Sequence, residues 1–166
     1  MAKVFDNDSD NETVNFNEID FSPREGLVIK FKRLDKNAIT PTKGTTYAAA
    51  WDLYALNDGI VVAGSIALIK TGIAMIIPNG WRGQIRSRSS LAKKHHLVTQ
   101  GGVIDSDYRG DVGILISNLS KTDYKYKAGH RMAQMTIDRV PMVCLIEVEK
   151  LDETERGVGG YGSTGK

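Results

Sequence analysis

Two carboxylates, Asp105 and Asp107, stand beside Tyr108 in the glycine-bounded run Gly101-Gly-Val-Ile-Asp-Ser-Asp-Tyr-Arg-Gly110. Glycines at both ends suit a hairpin whose backbone approaches a ligand closely, and carboxylates placed there can activate water or meet a metal ion. An ordinary polar hairpin, with Arg109 paired to Asp107 or Asp111, is the other reading of the same residues. Upstream, Arg86-Ser-Arg-Ser-Ser90 offers two guanidinium forks and several hydroxyls where a strand pattern gives way to a helical one. With the amides of a helix start, that set suits a polyphosphate, and a solvated basic turn is the alternative. The last eleven residues, Arg156-Gly-Val-Gly-Gly-Tyr-Gly-Ser-Thr-Gly-Lys166, hold five glycines. Their spacing imitates both a dinucleotide fingerprint and most of a phosphate-binding loop, yet neither motif works without the strand before it and the helix after it. Bare amides, the hydroxyls of Ser163 and Thr164, the cation Arg156 and the ring of Tyr161 can still wrap phosphate oxygens and stack on a base. A solvating tail is the alternative.

Other residues are weaker candidates. Asp52, inside Ala48-Ala-Ala-Trp-Asp-Leu-Tyr-Ala55, reads first as a partly buried carboxylate paired with an arginine and second as a site residue. Cys144 is expected to pack as a small apolar side chain, and His95 and His96 to be exposed. One cysteine and three histidines at unrelated spacings give neither a disulfide framework nor a zinc signature.

Charge is distributed unevenly. Residues 1–26 hold Asp6, Asp8, Asp10, Glu12, Glu18, Asp20 and Glu25 against Lys3 and Arg24, a balance of −5 within a chain of net charge +2, so the remainder carries +7. Residues 81–96 contain Arg82, Arg86, Arg88, Lys93 and Lys94 with no acid, which marks an anion site. One short basic cluster falls below the footprint of a nucleic-acid-binding domain, so no stable nucleic-acid binding is expected. No apolar run approaches a membrane span and the N-terminus is too polar for a signal peptide. An intracellular protein, cytoplasmic or nuclear and not secreted, is expected.

These groups need a scaffold, and 166 residues suit one domain. Residues 1–25 lack periodic apolar positions and read as a disordered acidic tail with a possible partner of its own. From Gly26 the pattern changes to period two. Strand-like runs at 27–32, 59–63, 67–69, 72–77, 83–87, 112–117, 124–127, 131–140 and 143–148 are punctuated by glycine turns. Such spacing predicts an all-β sandwich, jelly roll or barrel over residues 26–150. The exception is Ser89-Ser-Leu-Ala-Lys-Lys-His-His96, which predicts one short helix with a hydroxyl N-cap and a basic last turn. Residues 151–166 are left as a flexible arm.

Taken in chain order, Ala49-Ala-Trp-Asp-Leu-Tyr-Ala55, Arg88-Ser-Ser-Leu-Ala92, Gly102-Val-Ile-Asp-Ser-Asp-Tyr-Arg-Gly110, Gly129-His-Arg-Met-Ala-Gln134 and Arg156-Gly-Val-Gly-Gly-Tyr-Gly-Ser-Thr-Gly165 resemble the five motifs of the trimeric dUTP pyrophosphatases (dUTPases). The resemblance runs from about Leu27 to the C-terminus. It implies a jelly-roll-like β-subunit, a homotrimer with active sites shared between chains, and hydrolysis of dUTP to dUMP and pyrophosphate with Mg²⁺ held mainly by substrate phosphates and waters. By the same resemblance Asp105 activates the attacking water, Tyr108 lies under the deoxyribose, and the backbone of Gly101, Gly102 and Val103 reads uracil. Arg88, Ser89, Ser90 and Gln134 contact phosphates, and Asp52 supports them. Arg156, Tyr161, Gly162, Ser163 and Thr164 form a closing arm. The chain departs from the family pattern at Ser90 (usually Gly), Tyr161 (usually Phe), Trp51 (usually Tyr) and His130 (usually an acid). Two alternatives remain at this point: a non-catalytic dUTP-sensing module on the same fold, and a dCTP deaminase-like enzyme.

Overall fold

Short apolar runs broken by turn residues favour strands over helices, and the computed structural model, which describes residues 26–160, is built of eleven strands and one helix. The tail 1–25 and the end of the arm, including Tyr161, Gly162, Ser163 and Thr164, lie outside the described residues. The strands are β1 (Lys30–Arg33), β2 (Trp51–Tyr54), β3 (Gly59–Val61), β4 (Ile66–Ile69), β5 (Ile73–Ile76), β6 (Trp81–Arg86), β7 (Leu97–Thr99), β8 (Val103–Ile104), β9 (Ile114–Asn118), β10 (Tyr124–Tyr126) and β11 (Arg131–Arg139), with α1 (Ser89–His95) between β6 and β7. Every pairing is antiparallel. The four-stranded sheet has the order β2-β11-β6-β8, the three-stranded one β4-β9-β7, and two ribbons pair β1 with β5 and β10 with β3.

Alternation explains how these sheets close a core. On β6 Gly83 and Ile85 are buried while Arg86 is exposed, and on β9 Ile114 and Ile116 are buried while Leu115 faces out. Leu53, Val61, Ile69, Ile73, Met132 and Met135 complete the same interior, each side chain contributing roughly 1.5–3 kcal/mol of transfer free energy. The one buried side-chain amide among the described residues, Asn118, is satisfied on all sides. It donates to the carbonyls of Val61 and Thr122 at 2.9 and 2.8 Å and accepts from the Ser120 amide and hydroxyl at 3.0 and 2.7 Å, so it ties β9 to β3 and to the following turn without an orphaned group. Among the described residues no helix is long and apolar enough to cross a membrane.

Three sequence expectations are corrected. Residues 143–148 form no strand; they follow β11 in an irregular, exposed stretch, because β-favouring composition alone does not make a strand when no described neighbour offers its backbone. Cys144 is consequently exposed rather than packed. The helix begins without a hydroxyl cap: Arg88 holds the N-cap position with extended backbone and no side-chain cap bond, and both serines already lie within the first turn. Two further strands, β2 and β7, fall on residues for which the sequence carried no strand expectation.

Candidate functional site

The outer face of the four-stranded sheet carries the first part of the site. Gln134 on β11 stands opposite Asp52 on β2 and opposite Arg86 on β6, and direct cross-strand partners point to the same side. Asp52, with its side chain only 13% exposed, is gripped from two directions: Arg88 Nε lies 3.2 Å from one carboxylate oxygen and Arg131 Nη1 3.1 Å from the other. Arg88 Nη1 also donates to the Arg131 carbonyl at 2.9 Å. The first reading of Asp52, a carboxylate paired with arginine, holds. The paired group also lines an open recess of about 370 Å³ together with Arg88, Ser89, Ser90, Gln134 and Thr136. Its remaining wall is made by Gly44, Ala48, Ala49 and Ala50, whose small side chains leave the space free. Gln134 Nε2 is held by the Ser87 carbonyl at 3.0 Å, and Ser89 and Ser90 are exposed at the start of α1.

The second part is the glycine-bounded hairpin. Gly101 and Gly102 have φ of 57° and 87°, in the left-handed region, and a Cβ on Gly102 would stand 3.0 Å from both Cβ and carbonyl oxygen of Ile85. The close approach allows the Ile85 amide to donate to the Gly102 carbonyl at 2.8 Å and lets β8 pair with β6. At the tip the Tyr108 amide donates to the Asp105 carbonyl at 3.2 Å, and its hydroxyl donates to the Asp111 carbonyl at 2.9 Å. The ring is pinned at its far end yet 44% exposed. Asp111 fixes the base of the hairpin, its carboxylate accepting from the Thr71 hydroxyl at 3.1 Å and the Gly72 amide at 2.9 Å. Arg109 pairs with neither Asp107 nor Asp111. It donates instead to the carbonyls of Ser106 and Tyr108 at 2.7 and 2.9 Å, because the tight turn aims those carbonyls at it. Asp105 is exposed and, with Gly102, Val103, Tyr108, Lys70 and Gln100, lines a second recess of about 440 Å³.

Within one chain the sequence-predicted residues therefore fall into two groups. Asp52, Arg88, Ser89, Ser90 and Gln134 share the first recess, and Gly102, Val103, Asp105 and Tyr108 the second; no lining residue is common to both. Gly101 is exposed beside the second, its carbonyl 3.3 Å from Gln84 Nε2. Arg156 is exposed and lines neither recess. His95 and His96 are exposed, as expected. Sequence reasoning gave no role to Arg131 or Thr136, and offered Asp111 only as a partner for Arg109. Arg131 had a signal, a cation inside a motif already singled out, but its pairing with Asp52 depends on strand register.

The donor set bears on metal binding. Among the described residues no three His, Cys, Asp or Glu side chains gather into a cage, and both oxygens of Asp52 are already engaged by arginines. Such a site fits a hard cation that brings its own phosphate and water ligands.

Comparison with known proteins places this geometry in context. A family model described as dUTPase matches residues 36–165. The chain is 42% identical over 142 residues to the deoxyuridine 5'-triphosphate nucleotidohydrolase of Mus musculus, covering 86% of this chain and 88% of that protein. Among solved structures it resembles the dUTPase of Staphylococcus bacteriophage 80alpha with dUPNHPP, with a TM-score of 0.78, 29% identity, and coverage of 84% of this chain and 99% of the other. It also resembles a variant dUTPase of phage phi11 of S. aureus, reported with a coordinated structural Mg(II) ion, at a TM-score of 0.70, 27% identity, and coverage of 75% and 98%.

Proposed function

The chain belongs to the dUTPase family, and from that premise we propose that it hydrolyses dUTP to dUMP and pyrophosphate. The observation that carries this reading is the division of labour between the two recesses: one offers arginine, hydroxyls and small-residue walls to a polyphosphate, the other a carboxylate and a ring at the tip of a narrow hairpin.

Asp105 takes a proton from a water whose oxygen bonds to the α-phosphorus, while the bond from that phosphorus to the bridging oxygen breaks and pyrophosphate leaves. Tyr108 packs beneath the deoxyribose and leaves no room for a 2′-hydroxyl. The backbone of Gly101, Gly102 and Val103 reads the uracil edge. Arg88, Ser89, Ser90 and Gln134 hold the phosphates, with Asp52 fixing the direction of the Arg88 guanidinium. Mg²⁺, carried by phosphate oxygens and water, would neutralise charge on the triphosphate. Residues 151–166 act as the arm that closes the site, Arg156, Ser163 and Thr164 on phosphate and Tyr161 stacked on the base beside Gly162.

A homotrimer completes the site, with the first recess of one copy meeting the second recess of another. Two observations support association. The recesses share no residue within a chain, and Met142, Val143, Leu145, Ile146 and Leu151 are each at least 77% exposed after β11, an apolar run that no described residue covers. We assign the protein to an intracellular setting, cytoplasmic or nuclear, and the acidic residues 1–25 to a separate partner. Pyrophosphate release from dUTP, with UTP, dTTP and dCTP as controls, tests substrate, sugar and base together. Binding of dUTP without release, or preference for dCTP, overturns the reading.

A further inference from the structure

Arg86 lies on β6 two residues before Arg88, directly opposite Gln134, which stands opposite Asp52. The burial alternation of β6, with Gly83 and Ile85 inside and Arg86 exposed, puts its side chain on the outer face that carries the first recess. Arg88 and Arg131 both spend their charge on the Asp52 carboxylate, so those three groups together leave a single positive charge for a ligand. A triphosphate carries several negative charges. Among the described residues Arg86 makes no ion pair and no side-chain hydrogen bond. Its diagonal neighbour Thr136, opposite Gln84 on the same face, lines the recess and holds a buried hydroxyl oxygen with no partner. The polar face is therefore short of an anion.

We propose that Arg86 is a further substrate-binding residue, an uncommitted guanidinium that contacts the triphosphate beside the committed Arg88. The inference rests on reading the first recess as the phosphate site; the family resemblance assigns Arg86 nothing. Arg88 is fixed by Asp52 and sets geometry, whereas Arg86, exposed on the same face but outside the lining of the recess, is free to follow the charge of the incoming nucleotide. Its contribution therefore falls on capture and affinity rather than on the chemical step.

The test compares wild type with Arg86→Gln, which removes charge at similar length, and Arg86→Lys, which restores it. KM and kcat for dUTP are measured across ionic strength, binding of a non-hydrolysable dUTP analogue and of dUMP is titrated, and oligomeric state is checked by sedimentation. Arg86→Gln is expected to raise KM and weaken the analogue about tenfold, with kcat changed little, dUMP affected less, and the salt dependence of KM flattened. Arg86→Lys recovers most of the loss. Unchanged KM and salt dependence in Arg86→Gln overturn the proposal, as does equal weakening of dUMP and the analogue. Loss of assembly in Arg86→Gln that Arg86→Lys does not repair also overturns it, by making Arg86 a contact between copies. If wild type itself neither binds nor cleaves dUTP, it is the phosphate-site reading that fails, and that result is read from wild type alone.

Discussion

The Arg88 guanidinium meets the Asp52 carboxylate at 3.2 Å, joining the residue that caps α1 to the middle of β2. The pair is a positioning device. Arg88 side-chain freedom is removed before a ligand arrives, which lowers the entropy lost when phosphate binds.

Asp52→Asn keeps the shape but releases both Arg88 and Arg131 from their ionic partner. kcat/KM for dUTP is expected to fall about 10- to 100-fold, the range for losing charge-assisted hydrogen bonds. Steady-state kinetics check this, with the thermal midpoint measured in parallel; a fall in activity that tracks a fall in stability would assign Asp52 to folding alone.

Asp105→Asn removes the acceptor for the water's proton while hardly altering the exposed hairpin tip. kcat is expected to drop by about 10² to 10⁴, with affinity for a non-hydrolysable dUTP analogue retained. Near wild-type kcat would remove Asp105 from the role.

Tyr108→Ala deletes a ring whose hydroxyl is anchored to the Asp111 carbonyl at 2.9 Å. Discrimination between deoxyribose and ribose should relax, read as a rise in the ratio of kcat/KM for UTP to that for dUTP. An unchanged ratio locates the sugar gate elsewhere.

Gly102→Ala combines a left-handed φ of 87° with a Cβ placed 3.0 Å from the Ile85 backbone oxygen. A loss of about 1–3 kcal/mol is expected from strain and forced displacement, measured as a lower denaturant midpoint. Because the Ile85 to Gly102 hydrogen bond would lengthen, amide exchange at Ile85 should accelerate beyond that of the core strands.

How legible each feature was in the sequence follows its range along the chain. The hairpin around Asp105 and Tyr108 was legible because glycine spacing is a local signal, and so was α1, from the break in strand rhythm at Ser89. The Asp52 clamp was legible only as to type: a carboxylate among small residues asks for a cation, but Arg88 and Arg131 reach it through strand register, which no local pattern encodes. Arg109 misled for the opposite reason. Its neighbours in sequence are acids, yet the turn presents carbonyls to it first. The run at 143–148 is rich in β-favouring residues, and its failure to form a strand shows that composition describes a capacity for pairing and does not supply the neighbour.

Dividing a site between two recesses with no residue in common has a consequence for the enzyme as a population of molecules. Under the proposed assembly, specific activity depends on protein concentration: dilution to where the copies dissociate silences each chain by parting the two halves of its site. One inactive subunit is also felt by sites to which it lends only half the machinery, so a defective copy poisons its companions. A cell carrying a mixture of sound and faulty subunits would lose activity faster than the faulty fraction alone predicts.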